Sequence, residues 1–306
     1  MKIAVIGAGG VGGYYGSLLA AAGHEVHFVA RGPHLQAMRT SGLQIRSTLG
    51  DVRVQPVLAT DQPSEIGVVD LALFCTKAFS TVGAAKQNKS LVGTATAVLS
   101  LQNGVEGADQ LAPILGPQHI LAGATWLSSY VESPGVIHHV SDSRRIVLGE
   151  LDGRDSTRVH EIHAALSGAS ISAEISSNVQ GVLWQKLMLI AAVAGVGSLT
   201  RLPMASYRSV PEARRLITAM MQETAAVAAA RGVRLDPNAM EKALQYLDNA
   251  RPEVKASMQL DIEAGRPSEL EGLIGVIVRS GQDKGIATPV AAAIYALLLP
   301  LELLAQ

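Results

Sequence analysis

An α/β fold is predicted, with a doubly wound sheet at the N-terminus and an all-helical region after it, and three observations carry the prediction. A short apolar run at 3–6 breaks into Gly7-Ala8-Gly9-Gly10-Val11-Gly12 and continues as a small-residue helix to about Ala22. Strand-like and helix-like segments then alternate to about residue 178, and several of the strand-like runs are apolar enough to be buried on both faces. From Asn178 onward only helical spacing is found. Alternation of this kind, with right-handed crossovers, leaves few topologies other than a parallel sheet flanked by helices. The domain boundary is expected at 178, with one domain over 1–178 and a helical one over 179–306.

Each element has its own reason. A strand that turns through glycines into a helix aims backbone N–H groups and the positive end of the helix dipole at one point, which suits a pyrophosphate. Gly7 allows the tight turn, Gly9 lets the backbone approach phosphates without a Cβ, and Gly12 lets the helix pack on its strand. A second strand at 25–30 completes the Rossmann-type unit, so Gly7, Ala8, Gly9, Gly10, Val11 and Gly12 are read as a dinucleotide site. The same stretch could pass for a signal peptide, but six glycines and two tyrosines make a poor greasy block. A short helix follows at 35–39, stopped by Ser41-Gly42, and 43–45 and 52–57 read as two short strands. Buried strands are expected at 68–75, 97–101 and 120–125, a hairpin from 136–140 and 145–148, and a helix at 159–166. Helices are then expected at 179–194, 211–231, 237–247, 269–284 and 289–304, with Asp236-Pro237 as cap and first helical residue.

Composition narrows the function. The 306 residues carry a net charge of -1 with 4% aromatics, and no dense basic cluster, which argues against a nucleic-acid partner. A single cysteine, Cys75, cannot form an internal disulfide and points to a reducing, cytoplasmic location. The longest uncharged runs, 187–200 and 285–301, fall short of the ~20 apolar residues of a membrane span. No metal site is read: His138 and His139 are adjacent, His160 and His163 lack a third ligand, and all four are expected to be surface residues.

The cofactor is chosen at the end of the second strand. An NAD site usually offers an acidic residue there to the ribose 2′-hydroxyl, whereas this sequence has Ala30-Arg31-Gly32. Arg31 can pair with a 2′-phosphate through two N–H groups, which favours NADPH, although it also reads as a solvated arginine at a strand end. In open α/β sheets ligands sit beyond the carboxyl ends of strands, where Thr76-Lys77 and Gln102-Asn103-Gly104 are found. Lys77 and Asn103 are therefore expected to face cofactor and substrate. Taken alone, Asn103 reads equally as the turn residue of an Asn-Gly pair.

The sequence resembles the ketopantoate reductases (2-dehydropantoate 2-reductases) over nearly its whole length. The resemblance rests on the glycine motif, Ala30-Arg31-Gly32-Pro33-His34-Leu35 with Gly42-Leu43, Thr76-Lys77-Ala78, Gln102-Asn103-Gly104, Pro134-Gly135, Trp184-Gln185-Lys186-Leu187, Ser257-Met258 and Glu269. It implies reduction of a 2-keto acid by NADP(H), ketopantoate first, and hence a place in pantothenate biosynthesis. It further implies an active site in a cleft between a Rossmann domain and a helical substrate and dimerisation domain, in a homodimer. In residues, it implies Lys186 as general acid with Glu269 beside it, and Asn103 and Ser257 on the substrate.

The chemistry of those residues agrees, because hydride arriving at a carbonyl carbon leaves charge on oxygen that a nearby ammonium can neutralise and protonate. Apolar neighbours around Lys186 would favour a neutral amine, and a nearby carboxylate would restore the charge. Without the resemblance, Glu269 could not be preferred to Glu263 or Glu271. One departure stands out. The family has asparagines four and eight residues after the lysine, where this sequence has Ile190 and Ala194. An apolar wall in their place points to a different small keto acid as the alternative substrate, with Ser198 as a candidate compensating group. A redox sensor that binds NADPH without turnover is a second class of function, and the pairing of Lys186 with Glu269 argues against it. A 3-hydroxyacid dehydrogenase is a third, and the missing asparagine counts equally against that.

Overall fold

In the computed structural model, residues 1–305 are described, and they form two compact units. The first comprises Met1–Gln102 and Gly107–Val179, and the second takes the chain from Gln180 onward together with Asn103–Glu106.

In the first unit β1 (Lys2–Ile6) leads into α1 (Gly10–Ala21), and β2 (Glu25–Val29) returns parallel to β1. Next come α2 (Gly32–Ser41), β3 (Leu43–Ser47), β4 (Val52–Val54), β5 (Leu58–Thr60), β6 (Leu71–Phe74), α3 (Thr81–Gln87), β7 (Ala97–Ser100) and α4 (Gly107–Leu115). The unit closes with β8 (Ile120–Trp126), β9 (Ser129–Ser133), β10 (Val136–His139), β11 (Arg145–Glu150), α5 (Thr157–Gly168) and β12 (Ser172–Ile175). The main sheet has the order β12-β11-β8-β7-β6-β1-β2-β5, parallel throughout except where β11 meets β8. Successive side chains on the central strands enter opposite cores, as the two-residue period of a strand requires. Ile3, Val5, Leu71, Leu73 and Leu99 share one core with Tyr14, Leu19, Val159 and Ile162, while Ala4, Ile6, Ala72, Phe74 and Val98 share the other with Ala85 and Leu111.

The hairpin expected from 136–140 and 145–148 does not form. β10 pairs with β3 and β9 in a separate sheet of order β4-β3-β10-β9, whereas β11 joins the main sheet between β8 and β12. Burial explains the split: β11 is buried from Ile146 onward and suits a sheet interior, while β10 alternates and needs only one covered face. The unforeseen strands β5, β9 and β12 are short or exposed and lie at sheet edges, where no apolar pattern is needed. His139 was expected at the surface and is instead fully buried. Its Nδ1 pairs with Ser47 Oγ at 2.9 Å, its Nε2 with Ser141 Oγ at 2.9 Å, and its ring lies 4.4 Å from that of Tyr14. Burial holds its pKa below the usual histidine value.

The second unit is helical: α6 (Val179–Thr200), α7 (Met204–Arg208), α8 (Pro211–Ala230), α9 (Ala239–Asn249), α10 (Ser257–Glu263), a π-helical turn at Glu271–Gly275, α11 (Val276–Lys284) and α12 (Pro289–Ala305). The buried residues of α8, Ile217, Met220, Met221, Thr224, Val227 and Ala228, recur at helical spacing on one stripe. By contrast α6 is apolar all round. Its 22 residues make it longer than expected, and it has the length and composition of a membrane span, but 67% of its most apolar stretch is buried within the protein, as befits a core helix. Asp236 does not cap α9 directly. Its carboxylate accepts from the N–H of Asn238, and Asn238 is the cap, because the turn ahead of the helix uses Asp236 and Pro237 before helical geometry begins. The helix expected over 269–284 is interrupted by the π-turn.

Candidate active site

In the first unit the glycine turn is built as its sequence requires. Gly7 has φ +94, closed to most side chains, and its N–H donates to the Val29 carbonyl. A Cβ on Gly12 would lie 2.2 Å from the Gly7 carbonyl oxygen, so only glycine lets α1 sit this close to β1. Gly9 differs: no atom lies within 4 Å of where its Cβ would be. Nothing in the protein's own packing demands a glycine at that point, which fits a cradle kept open for a ligand. Gly9 is also the N-cap of α1, and no acidic residue occupies the first turn formed by Gly10, Val11 and Gly12. The free N–H groups and the dipole there favour an anion. Ala8, inside the turn, is buried. The residues present thus fit a dinucleotide pyrophosphate.

Arg31 is exposed and caps the N-terminus of α2, one residue beyond Ala30, with Nη2 donating to Gln87 Oε1 at 2.5 Å. Gln87, the last residue of α3, has no sequence signal that would have singled it out. Lys77 is partly exposed and precedes the single turn at Ala78–Ser80, just past the end of β6. Gln102 has a bracing role that its motif does not reveal. Its buried amide nitrogen donates to the Thr76 carbonyl, to Thr76 Oγ1 and to Thr81 Oγ1 at 2.7–3.1 Å, bracing the loops after β6 and β7.

In the second unit three expected residues come together. Lys186, in the second turn of α6 between the buried side chains Leu183, Trp184 and Leu187, donates through Nζ to Asn103 Oδ1 at 2.9 Å. The Asn103 amide nitrogen in turn donates to Glu269 Oε2 at 3.1 Å, and Glu269 is 3% exposed. This orients the amide with its oxygen toward the cation and its nitrogen toward the anion, the arrangement in which every group is used. Burial pushes the Lys186 pKa down from 10.5 to about 8, against an upward pull from Glu269. The segment carrying Asn103 is seated by Gly104, with φ +91, where a Cβ would lie 2.8 Å from the Gly272 carbonyl. Farther along it, Arg279 bridges Glu106 at 3.1 Å and Glu271 at 2.5 Å. Asn103 is therefore both the turn residue of its Asn-Gly pair and a member of the cluster.

The other expected residues stand apart from this cluster. Ser257 heads α10, exposed and outside the hydrogen-bonded trio. Ile190, one turn after Lys186, is half-buried, while Ala194 is 1% exposed in the packed interior. Ser198 is buried, and its hydroxyl has no hydrogen-bond partner among the described residues. It lies roughly 18 Å beyond Lys186 along the helix, at 1.5 Å per residue, too far to replace an amide near the ammonium.

Comparison with known proteins places the whole chain. The family described as "Ketopantoate reductase PanE/ApbA" matches residues 3–153, and its C-terminal counterpart, "Ketopantoate reductase PanE/ApbA C terminal", matches residues 178–302. A 2-dehydropantoate 2-reductase of Mesorhizobium japonicum is 31% identical over 97% of each chain. The crystal structure of a PanE/ApbA family ketopantoate reductase from Ralstonia eutropha JMP134 is 34% identical, with a TM-score of 0.91 over 99% of this chain and 98% of that one. A D-mandelate dehydrogenase in ternary complex with NADH and anilino(oxo)acetate is 26% identical, with a TM-score of 0.90 over 99% and 98%. The chain belongs to the ketopantoate reductase family and is an NADP-dependent oxidoreductase.

Proposed function

We propose that the protein reduces a small 2-keto acid with NADPH, and that Lys186 is the general acid. The observation that carries this is the hydrogen-bonded chain from Lys186 through Asn103 to Glu269. When bound, the dinucleotide supplies the hydride. The glycine turn and the first turn of α1 hold its pyrophosphate, and Arg31 and Lys77 meet its remaining phosphate and polar groups. Lys186 donates a proton from Nζ to the substrate oxygen as negative charge builds there. A pKa of about 8 leaves the ammonium mostly charged at pH 7 yet able to release its proton. Asn103 orients that ammonium, Glu269 maintains its charge, and Ser257 offers a hydroxyl to the substrate. On the same reading the first unit is the dinucleotide domain, the second the substrate and dimerisation domain, and the protein a cytoplasmic homodimer. Exposed Leu297, Leu301 and Leu304 on α12 support self-association.

Ketopantoate, and with it a role in pantothenate biosynthesis, is the first substrate by family. Ile190 favours a second reading, a 2-keto acid with a bulkier apolar side chain. A dehydrogenase of mandelate, whose side chain is a phenyl ring, is among the similar structures. The test follows NADPH absorbance with ketopantoate, pyruvate, branched-chain 2-keto acids and phenylglyoxylate, for wild type and Ile190→Asn. An apolar pocket predicts poor wild-type use of ketopantoate, improved roughly tenfold by an added amide that pairs with its hydroxyl. Wild type that is efficient on ketopantoate, and slowed by the asparagine, would show that other contacts bind the same substrate. Ala194→Asn is a poorer probe, since it forces an amide into packed interior.

A further inference from the structure

We propose that Glu302 is a positioning residue for the acid–base cluster: its carboxylate fixes Ser268 and so holds Glu269 against Asn103. Both Glu302 oxygens accept from the Ser268 N–H, at 3.0 and 3.1 Å, and Oε2 also accepts from the Ser268 hydroxyl at 2.5 Å. That hydroxyl accepts in turn from the Leu270 N–H at 3.2 Å, and the Glu269 carbonyl accepts from Leu273 at 2.9 Å. The backbone of Glu269 is thus pinned on both sides, immediately before the π-helical turn, a feature that often marks functional sites.

The cost of this arrangement is the argument for its role. Glu302 is 5% exposed, Ser268 and Glu269 are each 3% exposed, and no salt bridge reaches Glu302 among the described residues. A buried carboxylate held by dipoles alone is an expensive way to fill space, and an apolar residue in the last turns of α12 would pack as well or better. What a carboxylate does, and an apolar side chain cannot, is accept from both the N–H and the hydroxyl of one residue and fix that residue's place. The residue it fixes is the neighbour of the carboxylate that faces Lys186 through Asn103.

The consequence for catalysis rests on the reductase reading, but the test does not need turnover. Protein labelled with 13C at the lysine ε-carbons is titrated by NMR, and the Lys186 resonance is assigned as the one lost in Lys186→Arg. In wild type its midpoint should fall near 8. Glu302→Gln puts an amide where two acceptors stood, and it should lower the midpoint by about half a unit, a roughly threefold change in proton affinity and less than Glu269→Gln produces. Ser268→Ala, which leaves α12 intact, should lower it in the same sense and decides the matter if Glu302→Gln does not fold. The pair Glu302→Gln with Glu269→Gln should titrate like Glu269→Gln alone, because Glu302 acts through Glu269. An unchanged midpoint in folded Glu302→Gln overturns the proposal. So does a further fall when Glu302→Gln is added to Glu269→Gln, which would mean a direct effect of the Glu302 charge. Absence of keto-acid reduction by wild type would count against the reductase reading and leave this titration to be judged by itself.

Discussion

At the head of α1 the groups on offer are backbone N–H groups, and what matters is which side chains are missing. Around Lys186 the working parts are three side chains brought together from positions 103, 186 and 269. The first region is covalently contiguous, so six residues specify it. The second is assembled by packing, with Asn103 and Glu269 lying 166 positions apart in sequence, so it depends on the helical unit being folded correctly. Damage should therefore differ in kind: steric and binding-related in the glycine turn, electrostatic and rate-related at the lysine.

The sharpest contrast is expected from Lys186→Ala. It should lower kcat by roughly 10²–10⁴ with NADPH affinity unchanged, since the proposed mechanism has the ammonium act on charge that develops in the transition state. Steady-state rates together with cofactor titration by fluorescence check this, and activity within a few-fold of wild type would remove the general-acid role. Arg31→Ala belongs to the other region. Loss of a charge-assisted contact to the 2′-phosphate should cost about 1.5–3 kcal/mol, or about ten- to a hundredfold in NADPH affinity, with NADH nearly unaffected. Equal losses for both cofactors would show that Arg31 does not discriminate between them.

Two glycines five ångströms of helix rise apart or less separate packing from binding within the same turn. Gly12→Ala drives a Cβ to 2.2 Å from a carbonyl oxygen and should destabilise the fold by about 1–3 kcal/mol or more. Gly9→Ala meets nothing and should leave Tm unchanged, yet weaken NADPH roughly tenfold or more, about 1.4 kcal/mol, by intruding on the phosphates. Thermal melts with and without NADPH distinguish the two, and a destabilised but normally binding Gly9→Ala would contradict the open cradle.

The smallest effect concerns pH. With Lys186 as the proposed general acid, reduction needs it protonated, so kcat/KM should decline above pH about 8, while the reverse oxidation, which needs the neutral amine, should rise there. Glu269→Gln removes the charge that raises the Lys186 pKa and should move the declining limb to lower pH by a fraction of a unit to about one unit. A limb that stays in place would dissociate Glu269 from the lysine. The stability sign is opposite to that of a salt-bridged lysine: between about 8 and 10.5 the unfolded chain binds the Lys186 proton more tightly than the folded one, so this group's contribution to stability grows as pH rises.

The same contrast explains what could be read in the sequence. The glycine turn, the buried strands and the shift to helices follow from local pattern, because neighbours in sequence decide them. The false hairpin arose where two strands adjacent in sequence enter different sheets, a choice made by burial on a face that short segments do not encode. Strands β5, β9 and β12 carry too little apolar alternation to stand out. In the cluster around Lys186, Lys186 and Asn103 carried some chemical signal, but Glu269 emerged from among several acidic residues only by family resemblance. Its buried hydrogen bond to Asn103 is the distinction that sequence could not supply. Glu302 and Gln87 gave no signal, since a glutamate in an apolar helix and a glutamine at a helix end are ordinary.

The four residues Asn103–Glu106 make the two units inseparable by a single cut. They follow directly on Gln102, whose amide is braced to Thr76 and Thr81 in the first unit, yet they belong to the second. The backbone therefore changes units three times, after Gln102, after Glu106 and after Val179. A fragment beginning at Gln180 would lack the Asn103 acceptor of its Lys186 ammonium, and a chimera joining this N-terminal half to another helical half would carry a foreign loop against the lysine and glutamate of that half. Recombination among relatives is thus constrained at two places far apart in the gene: the loop and the helix bearing the lysine must be exchanged together.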